Sequence, residues 1–360
     1  MNRSVQFETS KPEFVKVLRK RVNTYFKENN ISKNSNFSMH FKTVFMLSLF
    51  FVPFILLTIN VVDSWWFHII MWSLMGFGMA GIGLSVMHDA NHGAYSKNPK
   101  VNKWLGYCLN IVGGFDLNWR IQHNVLHHTY TNIIGMDEDV DAGIVLRFSS
   151  SQKRKFHHGY QHLYAWFLYG LMTISWIFTK DYIQVVKYHK KNLIETQGHS
   201  LKSAILNLTF WKVLYMSYIF GLPMFFNGKI GITIGGFFLM HFIAGLFLTT
   251  VFLCAHIVDQ ADFPLPNQEG NIEKNWYVHQ METTANFSNR KSFFSWFIGG
   301  LNYQIEHHLF PNICHVHYYD LSKIVKATAH EFGLPYHANQ SFFQALKHHA
   351  THLKLMGAKA

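Results

Sequence analysis

The sequence predicts an all-α integral membrane protein: four spanning helices, further helices lying in the interface, and cytoplasmic segments that carry clustered histidines. Three observations predict it. Of 360 residues, 49% are hydrophobic and 17% aromatic, while Asp, Glu, Lys and Arg together make up only 14%, against about 25% in an ordinary soluble domain. Four stretches stay apolar for roughly the 20 residues that a spanning helix needs. Lys and Arg are concentrated between and outside those stretches on one side. This composition excludes disordered, collagen-like and coiled-coil classes. The net charge of +12 fits a basic face against the membrane, with no nucleic acid as partner. Three widely spaced cysteines, Cys108, Cys254 and Cys314, suggest neither a disulfide framework nor a thiolate metal site.

The elements follow in order. Residues 1–40 form a cytoplasmic, basic N-terminal segment without the apolar core of a cleaved signal. Ser10-Lys11-Pro12-Glu13 has capping-box spacing. Phe14, Leu18, Val22 and Phe26 then recur every four residues between Lys and Arg, which predicts an amphipathic helix on the membrane surface. Residues 41–257 make the membrane domain, with spans at about 43–62, 65–87, 204–226 and 230–255 and a cytoplasmic loop over 88–203. Lys212, near the start of the third span, is expected to snorkel. Asp63-Ser64 and Asn227-Gly228-Lys229 are the tight outer turns. Nine Lys/Arg precede the first span, thirteen lie between the second and third, and eight follow the fourth, whereas the outer turns hold only Lys229. The positive-inside rule then places both termini and the middle segment in the cytoplasm. His162–Phe178, about 17 residues long, is at the lower limit for crossing. A crossing there would turn the C-terminal region outward, so it is placed flat in the interface, as is Val101–Phe115. Residues 258–360 form a cytoplasmic C-terminal region.

Histidine is the outlier, with 24 copies. Three clusters fall on the cytoplasmic side. His88 and His92 have i,i+4 spacing where the second span ends. His123, His127 and His128 repeat that spacing in the middle segment. Gln304, His307 and His308 lie beyond the last span, and His256 marks the cytoplasmic end of the fourth. Residues four apart share a helix face, so each cluster can aim imidazoles at one point. Eight imidazoles exceed the about four to six ligands of one metal and suit two, of a kind that accepts nitrogen, such as iron, zinc or copper. Asp89, Glu306, Asp137 and Asp139 are placed to accept Nδ1–H bonds from the ligating rings. His40, His68, His157, His158, His162, His189, His199 and His241 read as polar interfacial residues. The tail histidines His330, His337, His348, His349 and His352 read as solvated surface.

In these three clusters the chain resembles the integral-membrane fatty acid desaturases. The boxes HX3H, HX3HH and QX2HH, in that order over residues 40 to 320, are specific as a set. "LNYQIEHHLFPNI" and "HDANHGAYS" are similar to the front-end branch, which inserts a double bond between an existing one and the carboxyl end. The resemblance implies four transmembrane helices under a cytoplasmic cap that holds a histidine-rich di-iron site. It implies two iron ions, with O2 as co-substrate, and the metal ligands His88, His92, His123, His127, His128, His256, His307 and His308. Gln304 stands where other desaturases have a ligating histidine, and a role near the metal is expected of it. Asn286, Asp89 and Glu306 are expected behind the ligands. His279, in "HQMETTANF", is not expected to be one. Front-end relatives often carry a fused cytochrome b5 domain. No haem motif occurs here, so the electron donor is expected to be a separate protein, ferredoxin or cytochrome b5.

An unactivated methylene has no acidic proton and no leaving group, so its oxidation needs a metal and dioxygen rather than side-chain acid–base chemistry. The expected substrate is a fatty acyl-CoA or acyl-lipid drawn from membrane lipids, its chain held in an apolar channel and its headgroup at the basic face. Two other readings compete. A di-iron membrane hydroxylase would add one oxygen where a desaturase removes two hydrogens. A metal transporter would place its histidines inside the spans along a pathway, whereas these clusters sit at span ends and in loops.

Overall fold

The computed structural model describes residues 5–9 and 13–358, so Ser10, Lys11 and Pro12 of the expected capping box lie outside the described residues. The chain is mostly helical. Among the described residues, strands form only two short parallel pairings, Gln6–Glu8 with Asn271–Asn275 and Asn286–Phe287 with Ala338–Asn339. The chain forms two compact units. A span unit comprises Phe37–Ile121 and Trp166–Thr249. A histidine unit comprises Met1–Asn36, Gln122–Ala165 and Thr250–Ala360.

Four helices are long and apolar enough to cross a membrane: Phe37–Thr58, Trp65–Asn91, Leu201–Asn227 and Ile230–His256. Their apolar length is what a bilayer demands, because only a helix satisfies its own backbone there. The first and second spans touch backbone to backbone at Gly78, where a Cβ would come within 2.7 Å of Phe50 N. The outer turns are pinned together by an ion pair between Lys229 and Asp63. The expected interfacial stretch is a run of short helices, Gln161–Gly170, Met172–Ser175, Trp176–Lys180 and Asp181–Lys190. The run is broken at Leu171, and none of it is among the four long apolar helices.

Lys212 does not snorkel. Its ammonium is buried, donates to the carbonyls of Gly113 (2.7 Å) and Trp176 (3.1 Å), and pairs with the Asp181 carboxylate. Asn118 Nδ2 donates to the Asp181 carbonyl at 2.8 Å. A buried charge is tolerable only when paired and hydrogen-bonded, and the sequence alone did not offer Asp181 as the partner. His241 is not interfacial either. It is buried within the fourth span, 2.7 Å from Tyr215 Oη through Nε2 and 3.0 Å from Thr173 Oγ1 through Nδ1.

In the histidine unit the amphipathic helix Glu13–Glu28 departs from expectation. Its apolar face of Phe14, Val15, Leu18, Val22 and Phe26 is buried in a protein core with Leu321, Val325 and Ala329 of helix Tyr318–Glu331. Arg21 donates to Thr328 Oγ1 at 2.9 Å and pairs with Glu331 at 2.6 Å. An amphipathic stripe reads the same whether its partner is lipid or a second helix. Here a partner stripe supplies the burial, at about 1.5–3 kcal/mol per large side chain. The tail is not uniformly solvated: His349 and His352 of helix Phe342–Gly357 are buried. They bond the carbonyls of Ile257 (2.7 Å) and Phe148 (2.7 Å).

Candidate metal centre

Six of the eight expected ligands belong to the histidine unit, and it gathers them. The segment Arg120–His127 is a π-helix, followed by His128–Tyr130. In the wider π turn, with i→i+5 bonding, residues i+4 and i+5 straddle the position above i. That winding is why His127 and His128 both stand over His123, with ring centroids 5.2 and 4.8 Å away. The short helix Gln304–Leu309 delivers His307 and His308, and His256 ends the fourth span.

Ring nitrogens of His127, His256 and His308 lie within 4.8 Å of one another, as do those of His128, His307 and His308, close enough to share a metal ion. The Nδ1 atoms of four of the rings meet a partner behind them. Nδ1–H of His123 donates to Asp139 at 2.7 Å, and Nδ1–H of His127 to Asp137 at 2.8 Å. His308 donates from Nδ1 to Gln280 Oε1 at 2.8 Å, and His307 Nδ1 is 3.2 Å from the Tyr318 hydroxyl. The bonds to the acceptor oxygens of Asp139, Asp137 and Gln280 fix the tautomer that leaves Nε2 of His123, His127 and His308 as a lone pair. Asp137 is itself fixed by the backbone N–H groups of Asn132 (2.9 Å) and Asp139 (3.0 Å). Asn132, left-handed at φ 59°, spreads its side-chain amide over the carbonyls of His256, Asp262 and Thr283, joining the second box to the end of the fourth span.

The donor set fits a metal. Among the described residues, Nε2 of His127, His256 and His308 is buried without a hydrogen-bond partner, a costly state for three polar atoms unless a cation sits among them. Nε2 of His128 and His307 face each other at 3.0 Å, which needs a proton or cation between two lone pairs. Burial would lower the pKa of His127, but the Asp137 carboxylate more than reverses this and holds the ring above its ordinary value. Burial, reinforced by the neighbouring imidazoles, holds His308 well below its ordinary value and therefore neutral.

His88 and His92 fall in the span unit. A π segment, Ile82–Val86, precedes the helical turn Met87–Asn91. The two rings meet at 4.7 Å between centroids, each 5.5 Å from the ring of Trp119.

The residues expected behind the ligands divide. Asp137 and Asp139 take that place. Asp89 does not take it toward His88, because its oxygen stops 3.8 Å from Nδ1, beyond hydrogen-bond reach. Glu306 accepts from Asn286 Nδ2 (2.8 Å) and Tyr336 Oη (3.0 Å) instead of from a ligand ring. Burial pushes its pKa up to about 7, with both bonds opposing. Asn286 also accepts from the Ile305 N–H at 2.9 Å, so this trio braces the third box from behind. Gln304 is buried at the start of that helix. His279 spends Nε2 on the Thr131 carbonyl at 2.9 Å and is held at about 4 by burial, with that bond opposing. Sequence reasoning misses Asn132, Tyr318 and Tyr336, and notes Gln280 only as a glutamine that recurs beside His279 in similar sequences, without a role. None belongs to a spaced motif, although Gln280 adjoins His279 in a segment already singled out.

The family model described as fatty acid desaturase matches residues 63–340. The chain is 35% identical to the sn-1 linoleoyl-lipid 6-desaturase of a Synechocystis strain, over 97% of each chain. It is 36% identical to the acyl-lipid (8-3)-desaturase of Physcomitrium patens, covering 96% of this chain and 72% of that one. It is 31% identical to the acyl-lipid (8-3)-desaturase of Mortierella alpina, over 96% and 78%.

Proposed function

Since the chain belongs to the fatty acid desaturase family, we propose that this membrane enzyme, which introduces a double bond into a fatty acyl chain, is a front-end acyl-lipid desaturase working with two irons and O2. The observation that carries the metal reading is the group of inward Nε2 atoms of His127, His256 and His308, buried and without partner among the described residues. The proposed ligands are these three with His123, His128 and His307, and His88 and His92 of the span unit, with Gln304 near the metal. An iron pair bound there would supply, with dioxygen, two electrons and two protons, the oxidising power to take two hydrogens from neighbouring methylenes, leaving a cis double bond and two waters.

The chain's own residues supply the frame for that chemistry. Asp137, Asp139, Gln280 and Tyr318 hold ring tautomers and directions, so that neutral lone pairs are preset for a cation. The full burial of His127, His256, His307 and His308 keeps water from a reactive centre. Electrons come from ferredoxin or cytochrome b5, and the termini and active site lie on the cytoplasmic side, as the distribution of Lys and Arg supports. The named activities of the relatives support an acyl-lipid carrier and a new bond on the carboxyl side of an existing one.

The test is expression in a host fed linoleate, followed by mapping of double bonds in its lipids. A new double bond nearer the carboxyl end is the expected product. A product heavier by one oxygen would establish the hydroxylase reading instead, and a new bond on the methyl side would overturn the front-end assignment.

A further inference from the structure

The rings of the histidine unit are backed in two different ways. Behind the second box stand carboxylates, Asp139 for His123 and Asp137 for His127. Behind the third box stand neutral oxygens, Tyr318 for His307 and the Gln280 amide for His308. Gln280 is wholly buried on helix Trp276–Glu282, and both ends of its side chain are engaged. Oε1 accepts from His308 Nδ1–H at 2.8 Å. The Thr131 hydroxyl lies 2.9 Å from the same oxygen and 2.8 Å from the His127 carbonyl, its one proton divided between them. Nε2 of Gln280 donates to the His128 carbonyl at 3.3 Å. Only a side chain that both accepts and donates can satisfy this set. A carboxylate would face the His128 carbonyl with like charge, and a thioether would leave the His308 N–H only the Thr131 hydroxyl, at 3.4 Å.

We propose that Gln280 is a positioning residue: its amide clips the second histidine box to the third, locks His308 as the tautomer with Nε2 free, and does so without adding charge. The inference rests on the ligand reading given above. Its consequence is electronic as well as geometric. A carboxylate behind an imidazole raises the ring's donor strength, so the two boxes present strong and weak donors in one centre. The neutral backing of His308 keeps the bound iron easier to reduce than a third carboxylate would allow.

The test uses the purified full chain in detergent, titrated with Co2+ to report ligand geometry in the visible spectrum, then loaded with iron for its midpoint potential. Gln280→Met is expected to weaken Co2+ binding by about 10–100-fold. Gln280→Glu is expected to bind iron at wild-type stoichiometry with a more negative midpoint potential. Should Gln280→Met fail to fold, the Gln280→Glu potential decides alone. Wild-type Co2+ affinity in folded Gln280→Met, or an unchanged potential in Gln280→Glu, overturns the proposal, since a merely structural glutamine would alter stability alone. A wild-type chain that takes up neither metal, or a His308→Ala variant that binds as tightly as wild type, overturns the ligand reading beneath it. Metal binding that is lost in His308→Ala but unmoved in both Gln280 variants removes only the role of Gln280.

Discussion

His241 in the span unit and His308 in the histidine unit are both fully buried imidazoles, and they are buried for opposite purposes. His241 has a partner at each nitrogen, Tyr215 and Thr173, and so ties two helices together. His308 has partners at Nδ1 only; among the described residues its Nε2 is unpartnered, as are Nε2 of His127 and both nitrogens of His256, and the three rings bring nitrogens within 4.8 Å of one another. A buried cation of the span unit is satisfied in the same way as His241. Lys212 is saturated by two carbonyls and a carboxylate. A buried polar side chain that is completely satisfied is a fastener, whereas a set that is half satisfied and convergent is a binding site.

The largest test of that distinction replaces one histidine of each kind. His127→Ala removes a proposed ligand while leaving every span untouched. It should abolish desaturation, measured as lipid product, with membrane insertion unchanged and metal uptake reduced. Retained activity would remove His127 from the ligand set. His241→Ala should leave metal uptake intact and cost stability, about 1–3 kcal/mol for the buried Tyr215 hydroxyl it orphans, read as a lower unfolding temperature. Loss of metal in that variant would break the comparison.

A second test concerns how the histidine unit is held together. Leu18→Ala on the N-terminal helix should cost about 2–5 kcal/mol, because Leu18 is fully buried in the core that its own helix shares with helix Tyr318–Glu331. Were that face resting on lipid, the substitution would alter membrane affinity and leave the unit's unfolding unchanged. A third test grades the support behind the rings. Asp137 accepts three N–H groups, from His127, Asn132 and Asp139. Asp137→Asn turns one acceptor end into a donor facing donors. It should lower metal affinity or turnover about 10–100-fold, measured by metal titration, without the complete loss expected of His127→Ala.

These cases show what a sequence discloses and why. The spans were legible because an apolar run of that length leaves the backbone one solution in a bilayer. The box histidines were legible because spacing encodes a shared face. Lys212 was read as snorkelling because its partner, Asp181, is 31 residues away and no local pattern joins them. The N-terminal stripe was assigned to lipid because amphipathicity names no partner. The roles of Gln280 and Asn132 stay hidden because a residue that acts through hydrogen bonds to distant main chain carries no spacing at all. The tail histidines were read as solvated for the same reason, since carbonyls anywhere in the fold can bury an imidazole.

That last reading leads to the smallest effect, on pH. His349 is fully buried, its pKa pushed down to about 4 by burial, with the bond to the Ile257 carbonyl opposing. Burial also lowers His352, with its bond to the Phe148 carbonyl opposing. A depressed histidine is neutral in the fold, so the unfolded chain binds its proton first, near pH 6.5. The stability it contributes is complete above that value and declines as pH falls toward 4, because ∂ΔG/∂pH is positive wherever the unfolded state holds more protons. Each pH unit in that window is worth at most about 1.4 kcal/mol for one group, and half that at about pH 6.5 where the unfolded ring is half protonated, so moving from about pH 6.5 to about pH 5 costs about 1.5 kcal/mol through His349. His349→Gln cannot titrate and keeps a donor for the Ile257 carbonyl. The difference in unfolding temperature between about pH 7 and about pH 5 should therefore shrink in the variant. An equal difference in both proteins would remove His349 as a source of the acid sensitivity.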